Sequence, residues 1–235
     1  MDAETVMQEL KALGKERTKK IYLSNGAHEP LFGVATGAMK PIAKKIGINQ
    51  PLAEELYATG NYDAMYFAGI IADPKSMTEK DFNRWMDKAY FYMLSDYVVA
   101  VTLSESQLAQ EMADKWIASG DELRMSAGWS CYCWLLGNRP DDQFSKEKIA
   151  HMLEIVKKEI HEAPERTKAA MNLFLYTVGI SFVPLNEKAL ETAAAVGKVE
   201  IKREKKKSSY LHAYENIQKD MAKGRLGFKR KYVRC

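Results

Sequence analysis

The 235-residue sequence has few cysteines and lacks the common metal, nucleotide and membrane motifs. It contains three cysteines and no CxxC pair, so neither a disulfide framework nor a thiolate zinc site is supported. HExxH, GxGxxG and P-loop sequences do not occur. No stretch approaches the roughly 18 consecutive apolar residues that a membrane span requires. We therefore predict no metal, no cofactor and no membrane partner.

The cysteines that are present do not indicate a site. Cys131 and Cys133 lie two positions apart in a predicted helix and point to nearly opposite sides of it. We interpret both as small buried side chains. The N-terminal sequence MDAETVMQEL has acidic residues and no basic region before an apolar run, which differs from a secretory signal. We expect a cytoplasmic protein with reduced thiols.

Charge is distributed unevenly along the chain. Residues 198–235 contain 13 Lys/Arg and 4 Asp/Glu, a net charge of +9, and the remainder of the chain carries −5. This asymmetry is typical of proteins that meet a polyanion, although a solvated tail has the same composition. The basic residues form three clusters: Lys40, Lys44 and Lys45; residues 202–207; and Arg225, Lys229, Arg230, Lys231 and Arg234. Phe228 and Tyr232 alternate with the last cluster and could lie against sugars or bases.

Apolar residues recur at helical spacing along nearly the whole chain. Strand-like alternation occurs only at Val199 and Ile201, before a helix predicted over residues 208–223. Successive helix pairs of about 40 residues are typical of HEAT repeats. The predicted fold is all-α, an α-solenoid of HEAT-like helix pairs forming a curved α-α superhelix. We predict one domain over residues 1–235, ending in a basic segment, residues 198–235. A compact helical bundle is the alternative.

The middle of the chain holds three of its four tryptophans. Residues 115–136 contain Trp116, Trp129 and Trp134, and two apolar helical segments meet there at an SGD turn. Large aromatic side chains bury the most area per residue, so we predict that these tryptophans form the core of the central repeats. Arg124, just after the turn, is a predicted anion contact.

Four segments resemble one family of proteins. They are LFGVATGAMKPIAKKI at residues 31–46, KWIAS followed by LRMSAGW from residue 115, KAAMNLFLYTVG at residues 168–179, and GRLGFKRKYVRC at residues 224–235. In order and spacing they are similar to the DNA alkylation repair family of AlkD-like HEAT-like repeat DNA glycosylases. The resemblance implies a basic concave face that holds duplex DNA, and excision of N3- and N7-alkylpurines. It also implies a carboxylate beside the deoxyribose that stabilises the oxocarbenium-like transition state or positions a water.

The residues that the resemblance implies for this chemistry are substituted. The segment expected to read W-D-x-V-D is SDYVV here, so Ser95 replaces a tryptophan and Val99 replaces the catalytic acid. Asp96 is kept and is a candidate for a substitute acid, although a different acid could also serve. On the later helix, Leu173 or Phe174 replaces a second tryptophan. The sequence therefore predicts that base excision is weak or absent.

Two further positions also depart from the family pattern. Tyr176 stands near an expected arginine. Arg124 lies two positions from the family's phosphate-contacting arginine, and Ser126 occupies the ungapped match.

The leading prediction is a DNA alkylation repair family protein that binds duplex DNA through basic clusters. The alternatives are an active alkylpurine DNA glycosylase and a protein-interaction scaffold, since a fold does not fix a function. The predicted nucleic-acid-binding residues are Arg124, Lys40, Lys44, Lys168, Lys205, Lys206 and Arg230.

Overall fold

The computed structural model describes residues 1–203 and 206–234. The chain divides into two compact units, Met1–Ala109 together with Arg234, and Gln110–Val233. Except for one hairpin, the regular structure of the described residues is helical, which confirms the all-α prediction. No single helix among these residues is long and apolar enough to cross a membrane. One bent pair, Glu165–Ser181 with Val183–Val196, could do so by length and composition alone.

The first unit is built from short helices and one interrupted helix. Its α-helices are α1 Ala3–Leu13, α2 Glu16–Ser24, α3 Lys40–Ile46, α4 Gln50–Ala58, α5 Tyr62–Ile71, α6 Glu79–Lys88, α7 Tyr92–Leu94 and α8 Ala100–Ser104. A 3₁₀ turn, Thr36–Met39, precedes α3, and a π-helical segment, Ser95–Val99, joins α7 to α8.

The second unit contains longer helices and the hairpin. Its helices are α9 Ala109–Ile117, which begins one residue before the unit boundary, α10 Glu122–Leu136, α11 Lys146–Glu159, α12 Glu165–Ser181, α13 Asn186–Val196 and α14 Ala213–Met221. Its strands are β1 Val199–Arg203 and β2 Lys206–Leu211.

Side-chain caps fix several helix starts. Thr78 accepts a hydrogen bond from the Asp81 N–H while the Asp81 carboxylate accepts one from the Thr78 N–H, a full capping box at the start of α6. At the starts of α11 and α10, the side chains of Ser145 and Asp121 each accept one hydrogen bond, from the N–H groups of Lys148 and Arg124. These local bonds satisfy orphan N–H groups, so the helices begin where the short polar residues stand.

A buried carboxylate organises the loop before α3. Asp63 is fully buried at the start of α5, and its oxygens accept hydrogen bonds from the N–H groups of Phe32 (2.5 Å), Gly33 (3.0 Å) and Val34 (2.8 Å). Burial raises the pKa of Asp63, while these three hydrogen bonds oppose that rise. The carboxylate therefore anchors the loop that leads into the basic helix α3.

Two contacts fix the end of α5 within the first unit. At Gly69, an added Cβ would lie 2.7 Å from Val98 Cγ1, so only glycine lets α5 approach the π-helical segment this closely. Arg234 donates to the carbonyls of Gly69 (3.0 Å) and Ala72 (2.8 Å) and pairs with Glu105. A guanidinium at a helix C-terminus satisfies carbonyls that have no intrahelical partner.

The core of the second unit lies between α10 and α12, which pack side by side. Phe174 meets Trp129 edge to face, with ring centroids 5.0 Å apart, and Tyr132 at 6.3 Å. Trp116 and Trp129 are buried as expected, and so are both cysteines of α10. Trp134 is different: it is only half-buried, and the Arg230 guanidinium lies 4.6 Å from the centroid of its ring. The prediction that Trp134 is core was wrong, because its side chain stays partly exposed beside a cation of the C-terminal segment.

The predicted last helix starts later than expected, because a β-hairpin takes up its first residues. Strands β1 and β2 pair antiparallel, with Val199 opposite Leu211 and Ile201 opposite Ser209. Val199 and Ile201 are buried, in keeping with their strand-like alternation. The helix expected from residue 208 instead begins at Ala213. Residues 208–211 are drawn into β2 by pairing with β1, a non-local interaction that helical periodicity does not contain.

Candidate nucleic-acid interface

The segment Ser95–Val99 carries the positions at which a tryptophan and a catalytic acid are expected. Ser95 and Val99 have no exposed surface, and Asp96 is 4% exposed. The Ser95 hydroxyl donates to Asp96 Oδ1 at 2.7 Å. The Val99 side chain has neither charge nor hydrogen-bonding capacity, so it cannot act as a carboxylate. The candidate substitute acid, Asp96, is buried against its neighbour.

The π-helical backbone changes which residues share a side of this segment. Its i→i+5 spacing gives a wider turn than the α-helix, so residues three apart lie less nearly above one another. The expectation that Asp96 and Val99 share one side was based on α-helical geometry. Tyr97 is 40% exposed and meets Tyr92 edge to face at 6.3 Å. The aromatic residue on the surface of this segment is therefore Tyr97, which sequence reasoning did not select.

Two predicted lysines lie together in the first unit. Lys40 and Lys44 are four residues apart on α3, and both are exposed. Residues four apart lie on one face of a helix, so the two ammonium groups can meet one phosphate backbone. Neighbouring Lys45 makes an ion pair with Glu9 at 3.6 Å, which partly offsets its charge.

Arg124 and Lys168 belong to the second unit. Arg124 lies in the first turn of α10, is half-buried, and its N–H donates to the capping carboxylate of Asp121 at 2.9 Å. Lys168 makes an ion pair with Glu165 at 2.9 Å, and Glu165 also accepts the Lys202 N–H at 2.5 Å. Although partial burial opposes it, these bonds hold the pKa of Glu165 below its usual value. The charge of Lys168 is thus partly neutralised within the fold.

The C-terminal basic segment packs against the end of α10. Lys229 donates to Asp141 at 2.7 Å and to the Leu136 carbonyl at 2.6 Å. Arg230 is exposed and lies over Trp134. Of the two remaining predicted contacts, Lys205 lies outside the described residues, and for Lys206 only its backbone pairing opposite Arg203 is described.

An open recess of about 530 Å³ lies beside α12 in the second unit, and we call it the α12–α14 recess. It is bounded by Leu173 and Tyr176 of α12, Leu211 at the end of β2, and Lys219 and Lys223 in and after α14. Leu173 is 37% exposed, whereas Phe174 is fully buried, so Leu173 is the residue presented at the surface where a family tryptophan is expected.

A hydrogen-bonded carboxylate forms one wall of this recess. The Tyr176 hydroxyl donates to Asp220 Oδ2 at 2.5 Å, and Asp220 pairs with Lys223 at 2.9 Å and Arg225 at 3.6 Å. The Tyr176 and Lys223 hydrogen bonds lower the pKa of Asp220 to about 2. Burial and the Asp220 hydrogen bond raise the pKa of Tyr176 to about 12. No local motif marks these residues in the sequence, because 44 positions separate Tyr176 from Asp220.

Within residues 1–203 and 206–234, no group of three or more His, Cys, Asp or Glu side chains could hold an ion. Burial raises the pKa of the Cys131 thiol, which disfavours the thiolate that binds metals.

Comparisons with known proteins show which family this chain resembles. A family model described as DNA alkylation repair enzyme matches residues 6–217. The uncharacterized protein Lin0241 of Listeria innocua is 30% identical over 217 residues, covering 90% of this chain and 93% of that protein. The uncharacterized protein Lmo0209 of Listeria monocytogenes is 30% identical over 199 residues, covering 82% and 85%.

A solved structure is 77% identical, with a TM-score of 0.97 and full coverage of both chains. It is described as "a new family of proteins related to the HEAT-like repeat DNA glycosylases with affinity for branched DNA structures". The fold is thus an all-α, HEAT-like repeat fold, as predicted. The chain belongs to the DNA alkylation repair enzyme family.

Proposed function

We propose that this protein binds DNA, with a preference for branched structures, and has weak or absent alkylpurine glycosylase activity. The observation that carries the second part is the complete burial of Ser95 and Val99 in the π-helical segment. Electrostatic stabilisation of an oxocarbenium-like transition state needs a carboxylate beside the sugar, and valine cannot supply it. The first part is supported by the affinity for branched DNA described for the 77% identical protein.

The basic side chains on the surface fit a partner with a regular array of phosphates. Lys40 and Lys44 share one face of α3, and Arg230 is exposed on the C-terminal segment. Phosphate contacts of this kind give affinity that is independent of sequence and falls with salt. A preference for branches needs no base-specific contact. The cytoplasmic location stays a prediction, based on the cysteine usage.

Binding to a four-way DNA junction and to a duplex of equal length, measured across salt concentrations, tests the DNA part of the proposal. We expect tighter binding to the junction and a log–log salt slope that becomes shallower by about 2 in the Lys40→Gln/Lys44→Gln variant. The matched control is Lys157→Gln/Lys158→Gln, two exposed lysines on α11, whose slope should equal that of the unmodified protein. No binding at low salt would favour a protein-interaction scaffold instead.

Release of free base from DNA carrying 7-methylguanine and 3-methyladenine tests the second part. We expect release close to that of the uncatalysed reaction. Robust release that disappears in Asp96→Asn would contradict the proposal and support an active glycosylase that uses Asp96 as its acid.

A further inference from the structure

The C-terminal segment presents large apolar side chains to solvent, and we call its residues 225–232 the C-terminal strap. Tyr232 is 69% exposed and Phe228 is 49% exposed, although aromatic side chains contribute more than most others when they are buried. Leu226, in the same strap, is also exposed. Exposed apolar side chains that are grouped in this way, among polar residues, are typical of a binding surface.

The strap is held against the second unit by its backbone and by one inward-pointing lysine. The N–H of Gly227 donates to the Ile180 carbonyl at 2.7 Å, and the N–H of Arg230 donates to the Gly137 carbonyl at 2.7 Å. Between these two points, Lys229 donates into the unit as described above. Because these bonds fix the strap in the unbound protein, less conformational freedom is lost when its exposed side chains bind a ligand.

Two cations of the strap lie beside aromatic rings and keep their full charge. The Arg230 guanidinium lies over the half-buried Trp134 ring while Arg230 stays exposed, so the indole supports a flat, charged group at the surface. Lys231 Nζ lies 5.3 Å from the centroid of the Tyr232 ring. Within residues 1–203 and 206–234, neither cation pairs with a carboxylate, whereas Lys229 pairs with one.

The flat side chains of the strap occupy alternate positions. Phe228, Arg230 and Tyr232 are exposed, and Lys229 between the first two is half-buried. Aromatic rings and arginine side chains are the groups on which the bases of single-stranded DNA stack, and neighbouring cations attract the phosphates. In a fully paired duplex the bases are stacked on each other, so such a surface finds free bases only where pairing is interrupted.

We propose that Phe228, Arg230 and Tyr232 form a stacking platform for unpaired bases at a DNA branch point, with Lys231 at a flanking phosphate. This inference rests on the proposed DNA binding and deepens it, because it names the side chains that distinguish a branch from a duplex. Stacking is tolerant of sequence, since every base has a flat face. The platform therefore selects the structure of the DNA without reading its sequence.

The variant Phe228→Leu/Tyr232→Leu tests the platform, and Phe228→Tyr/Tyr232→Phe is its matched control because it keeps both rings. The DNA ligands are a three-way junction with unpaired thymines at the branch, the same junction with abasic analogues there, and a duplex of equal length. We expect the leucine variant to bind the thymine junction about tenfold more weakly and the other two ligands as the unmodified protein does. The control variant should bind all three ligands normally.

Fluorescence of 2-aminopurine in place of one unpaired base reports stacking directly. We expect quenching by the unmodified protein and by the control variant, and little by the leucine variant. Full junction binding by the leucine variant overturns the inference and leaves the proposed function intact. Equal weakening on junction and duplex also overturns it, because the strap would then serve DNA in general. If the unmodified protein binds no junction at low salt, the proposed function fails and this inference with it.

Arg230→Lys separates the flat guanidinium from its charge, since lysine keeps the charge and offers no plane to a base. We expect about threefold weaker binding to the thymine junction, with an unchanged salt slope. Lys231→Gln should instead make the salt slope shallower by about 1 on that junction. Unchanged affinity in Arg230→Lys would remove Arg230 from the platform, and an unchanged slope in Lys231→Gln would overturn the placement of the phosphate.

Discussion

Ser95 and Val99 in the first unit have no exposed surface, whereas Leu173 in the second unit is 37% exposed and Tyr176 lines an open recess. Both regions hold positions at which the family's catalytic aromatic, acidic or basic residues are expected. In the π-helical segment, small and apolar residues have become part of the core. Around α12, the replacements leave a recess with a hydrogen-bonded carboxylate and a basic rim. The substituted positions therefore have different structural surroundings in the two units.

The largest expected effect comes from introducing a charge into each region. Val99→Asp places an ionisable group at a fully buried position without a partner, and we expect it to lower the free energy of unfolding by about 3–5 kcal/mol. Leu173→Asp is the matched control on the exposed surface and should cost less than about 1 kcal/mol. Chemical denaturation measures both. Equal costs would contradict the contrast between the two regions.

A methyl group at Gly69 tests how tightly the π-helical segment is packed. The Cβ of Gly69→Ala would lie 2.7 Å from Val98 Cγ1, which is well inside contact distance. We expect a loss of about 1–2 kcal/mol in unfolding free energy, since overpacking outweighs the helix propensity gained with alanine. Val98→Ala removes the opposing methyl groups, so the double variant should be more stable than the sum of the two single changes. If the two changes in unfolding free energy were strictly additive, α5 would be moving away from the π-helical segment without resistance.

The smallest effect concerns the pH dependence of the Tyr176–Asp220 pair. The lowered pKa of Asp220, about 2, contributes stability above about pH 4 that is lost as the pH falls towards 2. The raised pKa of Tyr176, about 12, contributes stability below about pH 10 that is lost as the pH rises towards 12.

Tyr176→Phe should flatten both dependences, because it removes the phenol and the hydrogen bond that lowers the pKa of Asp220. Thermal unfolding measured between pH 2 and 4 and between pH 10 and 12 detects the change. Tyr210→Phe, at an exposed position of β2, is the control. It should leave the pH dependence of stability unchanged in both the acidic and the basic range. Identical profiles for the two variants would mean that the pair contributes nothing to folding.

Local sequence signals predicted much of the helical fold. The Thr78 and Asp81 pair formed the capping box that its spacing indicates, and Ser145 caps the helix that follows it. Strand character at Val199 and Ile201 was also visible. The sequence failed at residue 208, where pairing with β1 overrode the helical pattern, and at Trp134, whose side chain stays partly exposed beside a cation of the C-terminal segment.

The candidate sites were only partly predictable. Valine has no carboxylate, so residue identity at position 99 was enough for the prediction that base excision is weak or absent, and this stays a prediction. The recess could not be predicted, because it joins Asn172 and Tyr176 of α12 to residues more than 30 positions later in the chain. A polar residue in the apolar run AAMNLFLY was the one signal at Asn172.

The sequence by itself determined the helical repeats, the positive C-terminal segment and the absence of a carboxylate at residue 99, since each depends on side-chain type or on spacing within one helix. Only the tertiary structure decided that residues 95–99 form a π-helical segment in which Ser95 and Val99 are buried, that part of the basic surface is neutralised by ion pairs, and that α12 and α14 border an open recess. Burial and long-range hydrogen bonds depend on which segments pack together, and no local pattern records that packing.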